Sequence, residues 1–409
     1  MNMFSALRAP REIVFGAGQR ACLAAIAQQL GKRALVCSDA RLAAEPVFEE
    51  IISSLRSSGM VVEIESGVLP DVPVDSCLAS AERARSFAPD VVIGVGGGSC
   101  IDHAKCVALL LKHGGEPQDY YGEFKVPGPV LPIIAIPTTA GTGSEVTPVA
   151  VLSDAGRLMK VGISSPHLIP AAAICDPELT VTCPKGLTAA AGADALTHAI
   201  EAFTAIRRAP VVGMAQERVF IGKTAITDHF ARLAIQTLFS NLERAYTQGD
   251  DLAAREQVML GALMAGLAFG TAGTAAAHAI QYPVGAATHT AHGDGVACVL
   301  PYVMRFNLEA TPDVFAEIGR MIGLQGNEDI ELGKKAVDAV AKLFAAVGIP
   351  SSLKALGLAE DKLEWAGDQA LGVSRLIDNN PRQIDAAAMT ALMRAAYEGD
   401  FAPIESVTT

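Results

Sequence analysis

Asp194 and His198 stand four residues apart in Gly192-Ala193-Asp194-Ala195-Leu196-Thr197-His198, an alanine-rich stretch of helical character. Side chains at i and i+4 leave a helix from one face, so this carboxylate and imidazole can approach one centre together. Taken singly, such a pair is more often a surface hydrogen bond or a cap. Here the segment carries almost no other charge, and a carboxylate without a partner there is costly. A cation removes that cost. His278 and His292 lie in a run from Gln257 to Gly293 that contains no Asp, Glu, Lys or Arg. A lone histidine in an apolar helix is usually a satisfied core residue, but two of them with the Asp/His pair suggest one divalent metal. Three imidazoles and one carboxylate suit Fe2+ or Zn2+ and leave room for a substrate oxygen. No helix geometry joins residues so far apart in the chain, so their convergence is an expectation about the fold.

Phosphate binding is the second chemistry the residues offer. The strand-like Asp90–Val95 runs into Gly96-Gly97-Gly98-Ser99, after which Cys100-Ile101-Asp102-His103-Ala104-Lys105 opens a helix. Glycines let a phosphate approach backbone N–H groups, and a helix N-terminus supplies about half a positive charge. The G-x-G-x-x-G fingerprint is not matched. Its acidic partner is also displaced: Asp39 follows Arg33–Cys37, upstream of the loop rather than after it. The bland alternative is a tight strand-to-helix turn. A second cluster, Pro137-Thr138-Thr139-Ala140-Gly141-Thr142-Gly143-Ser144-Glu145, follows the strand-like Pro132–Ile136. Its hydroxyls suit phosphate or ribose contacts at the carboxyl end of a sheet, against the alternative of an ordinary polar loop. Two such loops favour a nucleotide more than either does alone.

The elements that must position these residues fall into two halves. Up to about residue 180, strand-like runs (Arg33–Cys37, Val61–Ile64, Asp90–Val95, Pro132–Ile136) alternate with helical stretches at Ala40–Ser58 and Ser76–Phe87. This alternation predicts a parallel sheet covered on both faces. Beyond about residue 185 strand-like runs nearly vanish, and Thr188–Thr204, Thr227–Gln248, Asp251–Ala268 and Lys334–Ala346 carry helical periodicity. The expected organisation is an α/β domain over 1–183, Rossmann-like and dinucleotide-binding, followed by an all-α metal-binding domain over 184–409. A cleft between the two is the natural site.

The 409 residues are 50% hydrophobic and 19% charged, ample for two cores and incompatible with general disorder. Forty-four acidic against 32 basic side chains give a net charge of −12, which argues against nucleic acid and anionic membrane as partners. The eight cysteines form no C-x-x-C pair and read as reduced hydrophobes. With no signal-peptide layout at the N-terminus, the expected location is cytoplasmic. Val258–Ile280 is long enough to cross a bilayer, but Gly261, Gly266, Gly270, Gly273 and His278 within it favour a close-packed helix in a core.

In combination, these motifs resemble the iron-dependent (group III) alcohol dehydrogenases. The likeness rests on Gly96-Gly97-Gly98-Ser99-x-x-Asp102-x-x-Lys105, Pro137–Glu145, Asp194-x-x-x-His198-x-x-Glu201, His278 and His292-Gly293. Arg255-Glu256, Ala265-Gly266-x-Ala268-Phe269 and Asn380-Pro381-Arg382 extend it over nearly the full chain. The resemblance implies a dehydroquinate synthase-like architecture and a dehydrogenase that passes hydride between a small alcohol or hydroxy acid and NAD. It implies Asp194, His198, His278 and His292 as metal ligands, with Fe2+ favoured over Zn2+, and a homo-oligomer, dimer or larger. Gly97, Gly98 and Ser99 would hold the pyrophosphate, with Asp102, Thr138, Thr139, Thr142 and Ser144 around the nucleotide and Lys160 reaching the nicotinamide ribose. Asp39 takes the place that discriminates the cofactors, and a carboxylate there favours NAD over NADP.

This chain departs from the pattern at Tyr282, where many members carry a further histidine four residues after the third ligand. Some branches that oxidise hydroxy acids also have Tyr there. His292 and Tyr282 are therefore the candidate catalytic groups, and what replaces the relay histidine stays open. Two other chemistries share the resemblance: a sugar-phosphate cyclase of dehydroquinate synthase type and a metal-free maleylacetate-type reductase. The first needs cations for its substrate, which the run Gln257–Gly293 lacks; the second would not need all four ligand positions filled. A non-catalytic nucleotide or metal sensor is the remaining alternative.

Overall fold

The computed structural model describes residues 4–157 and 159–406. They form two compact units. One comprises Arg8–Cys183 with Gly213–Val219; the other comprises the residues before Arg8, Pro184–Val212 and the chain from Phe220 onward.

In the first unit the strands are β1 (Glu12–Phe15), β2 (Arg33–Cys37), β3 (Val61–Glu65), β4 (Val91–Gly96), β5 (Gly122–Glu123), β6 (Ile133–Pro137), β7 (Val149–Leu152), β8 (Val161–Ser164) and β9 (Ala172–Cys175). Its helices are α1 (Leu23–Leu30), α2 (Pro46–Ser57), α3 (Val74–Ala84) and α4 (Gly98–His113). Six strands make a parallel sheet in the order β1-β9-β6-β4-β2-β3. Alternate residues serve opposite faces. Ala34, Val36, Ile93 and Val95 pack with Leu23, Phe48 and Ile52 of α1 and α2, whereas Leu35, Cys37 and Val92 pack with Cys77, Ala81, Val107 and Leu110 of α3 and α4. Burial on both faces is why these strands read as continuous apolar runs. The helix after β2 and the helix after β4 cover opposite faces, so the strand order reverses between these neighbours. In open α/β sheets such a switch point is where ligands bind, beyond the carboxyl ends of the strands.

Some elements differ from the sequence pattern. Ala40–Ser58 is not one helix: a single turn at Ala40–Ala43 ends before α2, because Pro46 holds Glu45 extended at φ −84° and ψ 144°. The short edge strand β1, its neighbour β9, and a three-stranded sheet of order β5-β8-β7 had no run long enough to read.

The second unit is built of helices: α5 (Lys185–Thr204), α6 (Ala225–Thr247), α7 (Leu252–Ala272), α8 (Ala276–Thr288), α9 (His292–Leu308), α10 (Pro312–Met321), α11 (Asp329–Ala346), α12 (Leu363–Leu371) and α13 (Ala386–Glu398). α5, α6 and α7 pack on one another, and α9 packs on α5. The charge-free run spans α7 and α8 and breaks at Gly273, whose φ is 84°. Asn379 secures the break, its Nδ2 donating to the carbonyls of Ala272 (3.0 Å) and Thr274 (3.1 Å). Asn380 exchanges hydrogen bonds with Asn307 at 2.9 and 2.7 Å, and Arg382 donates to the Phe306 carbonyl at 2.9 Å. The Asn380-Pro381-Arg382 motif is thus structural. Among the described residues α7 alone is long and apolar enough to cross a membrane, and its Val258, Leu263, Ala265 and Ala268 are buried.

Candidate active site

The glycine turn lies at the switch point of the first unit. Gly97 caps α4, and Gly98 and Ser99 are its first residues, so their N–H groups point away from the helix, without intrahelical acceptors. Thr139 and Thr142, from the loop after β6, lie against Gly97 and Gly98. At the end of β2, Asp39 accepts from the Leu42 N–H through Oδ1 (2.9 Å), while Oδ2 lies 3.7 Å from the Cys100 thiol. Asp39 therefore flanks the glycine turn in space although it precedes it in the chain. The order that seemed misplaced follows from β2 and β4 being neighbours.

Four of the residues expected around the nucleotide, Asp102, Ser144, Thr138 and Lys160, have partners within the unit. Asp102 and Ser144 are buried and hydrogen-bonded to each other, and Asp102 Oδ2 accepts from the Val151 N–H at 2.9 Å. Lys105, fully buried, donates to Ser144 Oγ (3.1 Å) and to the carbonyls of Thr147 (3.0 Å) and Val149 (2.6 Å). This network fixes the loop from within, since a buried charge demands such partners. Thr138 is buried at the end of β6, its N–H on the Gly96 carbonyl (2.9 Å). Lys160 pairs with Asp71.

Beside this network, burial pushes the Glu145 carboxyl up from 4.5 to about 7. A folded-state value above the unfolded one means stability is present below the unfolded value and lost as pH rises through the folded one. Glu145→Gln is therefore expected to gain on the wild type between pH 5 and pH 8, by on the order of 2 kcal/mol. Urea midpoints at the two pH values measure this; an equal difference at both contradicts it.

In the second unit four side chains converge. Asp194 Oδ1 lies 3.7 Å from His198 Nε2, 3.7 Å from His278 Nε2 and 4.0 Å from His292 Nε2. Asp194 and His198 come from one face of α5, His278 from the first turn of α8, and His292 is the first residue of α9. Gly293 allows the last approach: a Cβ there would lie 2.1 Å from the Ala190 carbonyl of α5. Phe269 stacks on His198 with centroids 4.1 Å apart. Asp194, His198 and His278 are buried, whereas the His292 side chain is 31% exposed and leaves an open side.

These separations are too long for hydrogen bonds, and Asp194 Oδ1 and His278 Nε2 are buried with no hydrogen-bond partner. Ligands about 2.1 Å from a tetrahedral ion stand roughly 3.4 Å apart, so the set fits a small divalent cation after slight contraction. The electrostatics agree. Burial would raise the Asp194 carboxyl, but the three imidazoles hold it far below the usual range. Burial would lower His278, yet Glu201 and Asp194 raise it to about 9. Such a site attracts positive charge.

Tyr282 stacks near His292, with centroids 6.3 Å apart, and burial raises its phenol, opposed by the charge of Arg375. Sequence reasoning missed Arg375, which lies beyond the charge-free run and reaches this region through the turn at Ser374–Ile377 packed on α8. It also missed the roles of Lys105, Glu145 and Glu201, although all three stand in the motifs.

Backbone donors beyond a sheet's end suit a pyrophosphate, and an N3O donor set suits a Lewis acid. Chains carrying both chemistries form a class of metal-assisted, dinucleotide-dependent enzymes. Family models for iron-containing alcohol dehydrogenase and for the C-terminal part of that family match residues 10–177 and 188–397. Long-chain-alcohol dehydrogenase 1 of Geobacillus thermodenitrificans (strain NG80-2) is 36% identical over 375 residues, 90% of each chain. NAD-dependent methanol dehydrogenase of Bacillus methanolicus is 35% identical, covering 84% of this chain and 87% of that protein. A crystal structure of 1,3-propanediol oxidoreductase superposes with a TM-score of 0.90 at 32% identity, covering 97% of this chain and all of that one. The chain belongs to the iron-containing alcohol dehydrogenase family and is an oxidoreductase that interconverts alcohols and aldehydes or ketones.

Proposed function

We propose that this enzyme oxidises a small alcohol or hydroxy acid with NAD, reversibly, using one divalent ion, Fe2+ in preference to Zn2+. The observation that carries the reading is the convergence of three imidazoles on the unshared Oδ1 of Asp194. A cation held there would supply Lewis-acid chemistry for an alcohol oxygen, and NAD would supply the hydride acceptor. Asp194, His198, His278 and His292 would hold the ion, with the exposed side of His292 open to substrate. The N–H groups of Gly97, Gly98 and Ser99 would bind the pyrophosphate, and Thr139 and Thr142 would line it. Lys160 would exchange Asp71 for the ribose. Tyr282 Oη keeps its proton at neutral pH and can donate it to the carbonyl oxygen in the reductive direction.

The test is metal analysis of anaerobically purified protein, coupled to an NAD-reduction screen over C2–C6 alcohols, diols and hydroxy acids. One ion per chain and chelator-sensitive NADH formation are expected; full activity of chelated protein, or no turnover across the panel, overturns the reading. Asp39 Oδ2 would accept from the 2′-hydroxyl of NAD and repel a 2′-phosphate. Asp39→Ala is expected to shift the NAD over NADP ratio of kcat/KM at least roughly tenfold toward NADP, about 1.4 kcal/mol. An unchanged ratio contradicts that role.

A further inference from the structure

Glu201 leaves α5 seven residues after Asp194 and three after His198, on the same face, but does not point at the centre they share. It is 2% exposed. Its Oε2 lies 2.6 Å from His278 Nδ1 and accepts from the Ala275 N–H at 2.9 Å, while Oε1 accepts from the Ala277 N–H at 2.7 Å. Two consequences follow. A carboxylate accepts, so Nδ1 must donate, and Nε2, the atom facing Asp194 Oδ1 at 3.7 Å, is the ring nitrogen left to bind an ion. The start of α8, which has no side-chain cap of its own, also receives its acceptor and a negative charge from Glu201. One side chain thus selects the tautomer of His278 and sets the entry of the helix that carries it.

We propose that Glu201 is the positioning residue of the metal site, presetting His278 Nε2 as a ligand. The proposal rests on the metal reading above. Such carboxylate–histidine supports govern affinity as well as geometry.

Metal-free wild type, Glu201→Gln and Glu201→Ala are titrated with Co2+, followed by its visible absorption, and with Zn2+ by calorimetry. The wild type is expected to bind one ion. Glu201→Gln, which keeps an acceptor but turns an amide N–H toward backbone donors, is expected to bind 10–100-fold more weakly, with altered Co2+ bands. Thermal midpoints of the metal-free proteins separate the capping role. A lower midpoint with wild-type affinity and spectrum would make Glu201 a helix cap only and overturn the proposal. Should Glu201→Ala fail to fold, Glu201→Gln decides. No Co2+ or Zn2+ binding by the wild type removes the metal reading itself, whereas wild-type binding by Glu201→Gln removes only the role of Glu201.

Discussion

Asp194→Ala is expected to abolish metal retention and to lower turnover at least about 10³-fold, roughly 4 kcal/mol of transition-state stabilisation. Asp194 is the one anion among the four converging side chains, and its Oδ1 is the atom on which the three imidazoles are centred. Without it, neutral imidazoles must hold a divalent charge in a buried site. The metal-free fold should weaken as well. The carboxylate is held ionised by the imidazoles around it, so its removal deletes their counter-charge in a buried site. The metal-free thermal midpoint of the variant should therefore lie below that of the metal-free wild type, while metal added to saturation raises only the wild-type midpoint. Asp194→Asn, which keeps the shape and removes the charge, should lose metal similarly. Turnover within tenfold of wild type in either variant would remove Asp194 from the site.

The four converging side chains were legible because they are rare polar residues in apolar helices, and Asp194 and His198 are linked by helical spacing. Their support was not. Glu201 stood in the same motif without a role, since only the packing of α8 on α5 reveals that it meets His278 and two backbone donors. The glycine turn was legible as strand, glycines and helix start, and the place of Asp39 became intelligible once β2 and β4 proved adjacent. The mutual hydrogen bond of Asp102 and Ser144, and the support both give to the buried Lys105, were not legible, because strand pairing and tertiary burial create them and neither is local in sequence.

Gly96→Ala is expected to strike the nucleotide half as hard as Asp194→Ala strikes the metal half. Gly96 ends β4 at a φ of 146°, a conformation that L side chains rarely adopt. An added Cβ would lie 2.5 Å from Cys100 Sγ and 2.8 Å from Cys100 Cβ. Cys100 is buried in the first turn of α4, and the Gly96 carbonyl holds the Thr138 N–H at 2.9 Å, so relief must move the helix start and the threonine loop together. Strain and overpacking should cost about 2–4 kcal/mol of stability. NADH affinity should fall at least about 10²-fold, because the donors of Gly98 and Ser99 are displaced from a common target. Urea midpoints and a fluorescence titration with NADH measure the two effects. Gly186→Ala, where a Cβ meets nothing within 4 Å, is the control and should leave both unchanged. Adding Cys100→Ala to Gly96→Ala should recover only part of the loss, since it removes the Sγ clash and leaves the backbone strain. Co2+ affinity should stay at the wild-type value in every one of these variants. Wild-type NADH binding by Gly96→Ala would mean that the dinucleotide does not use this turn.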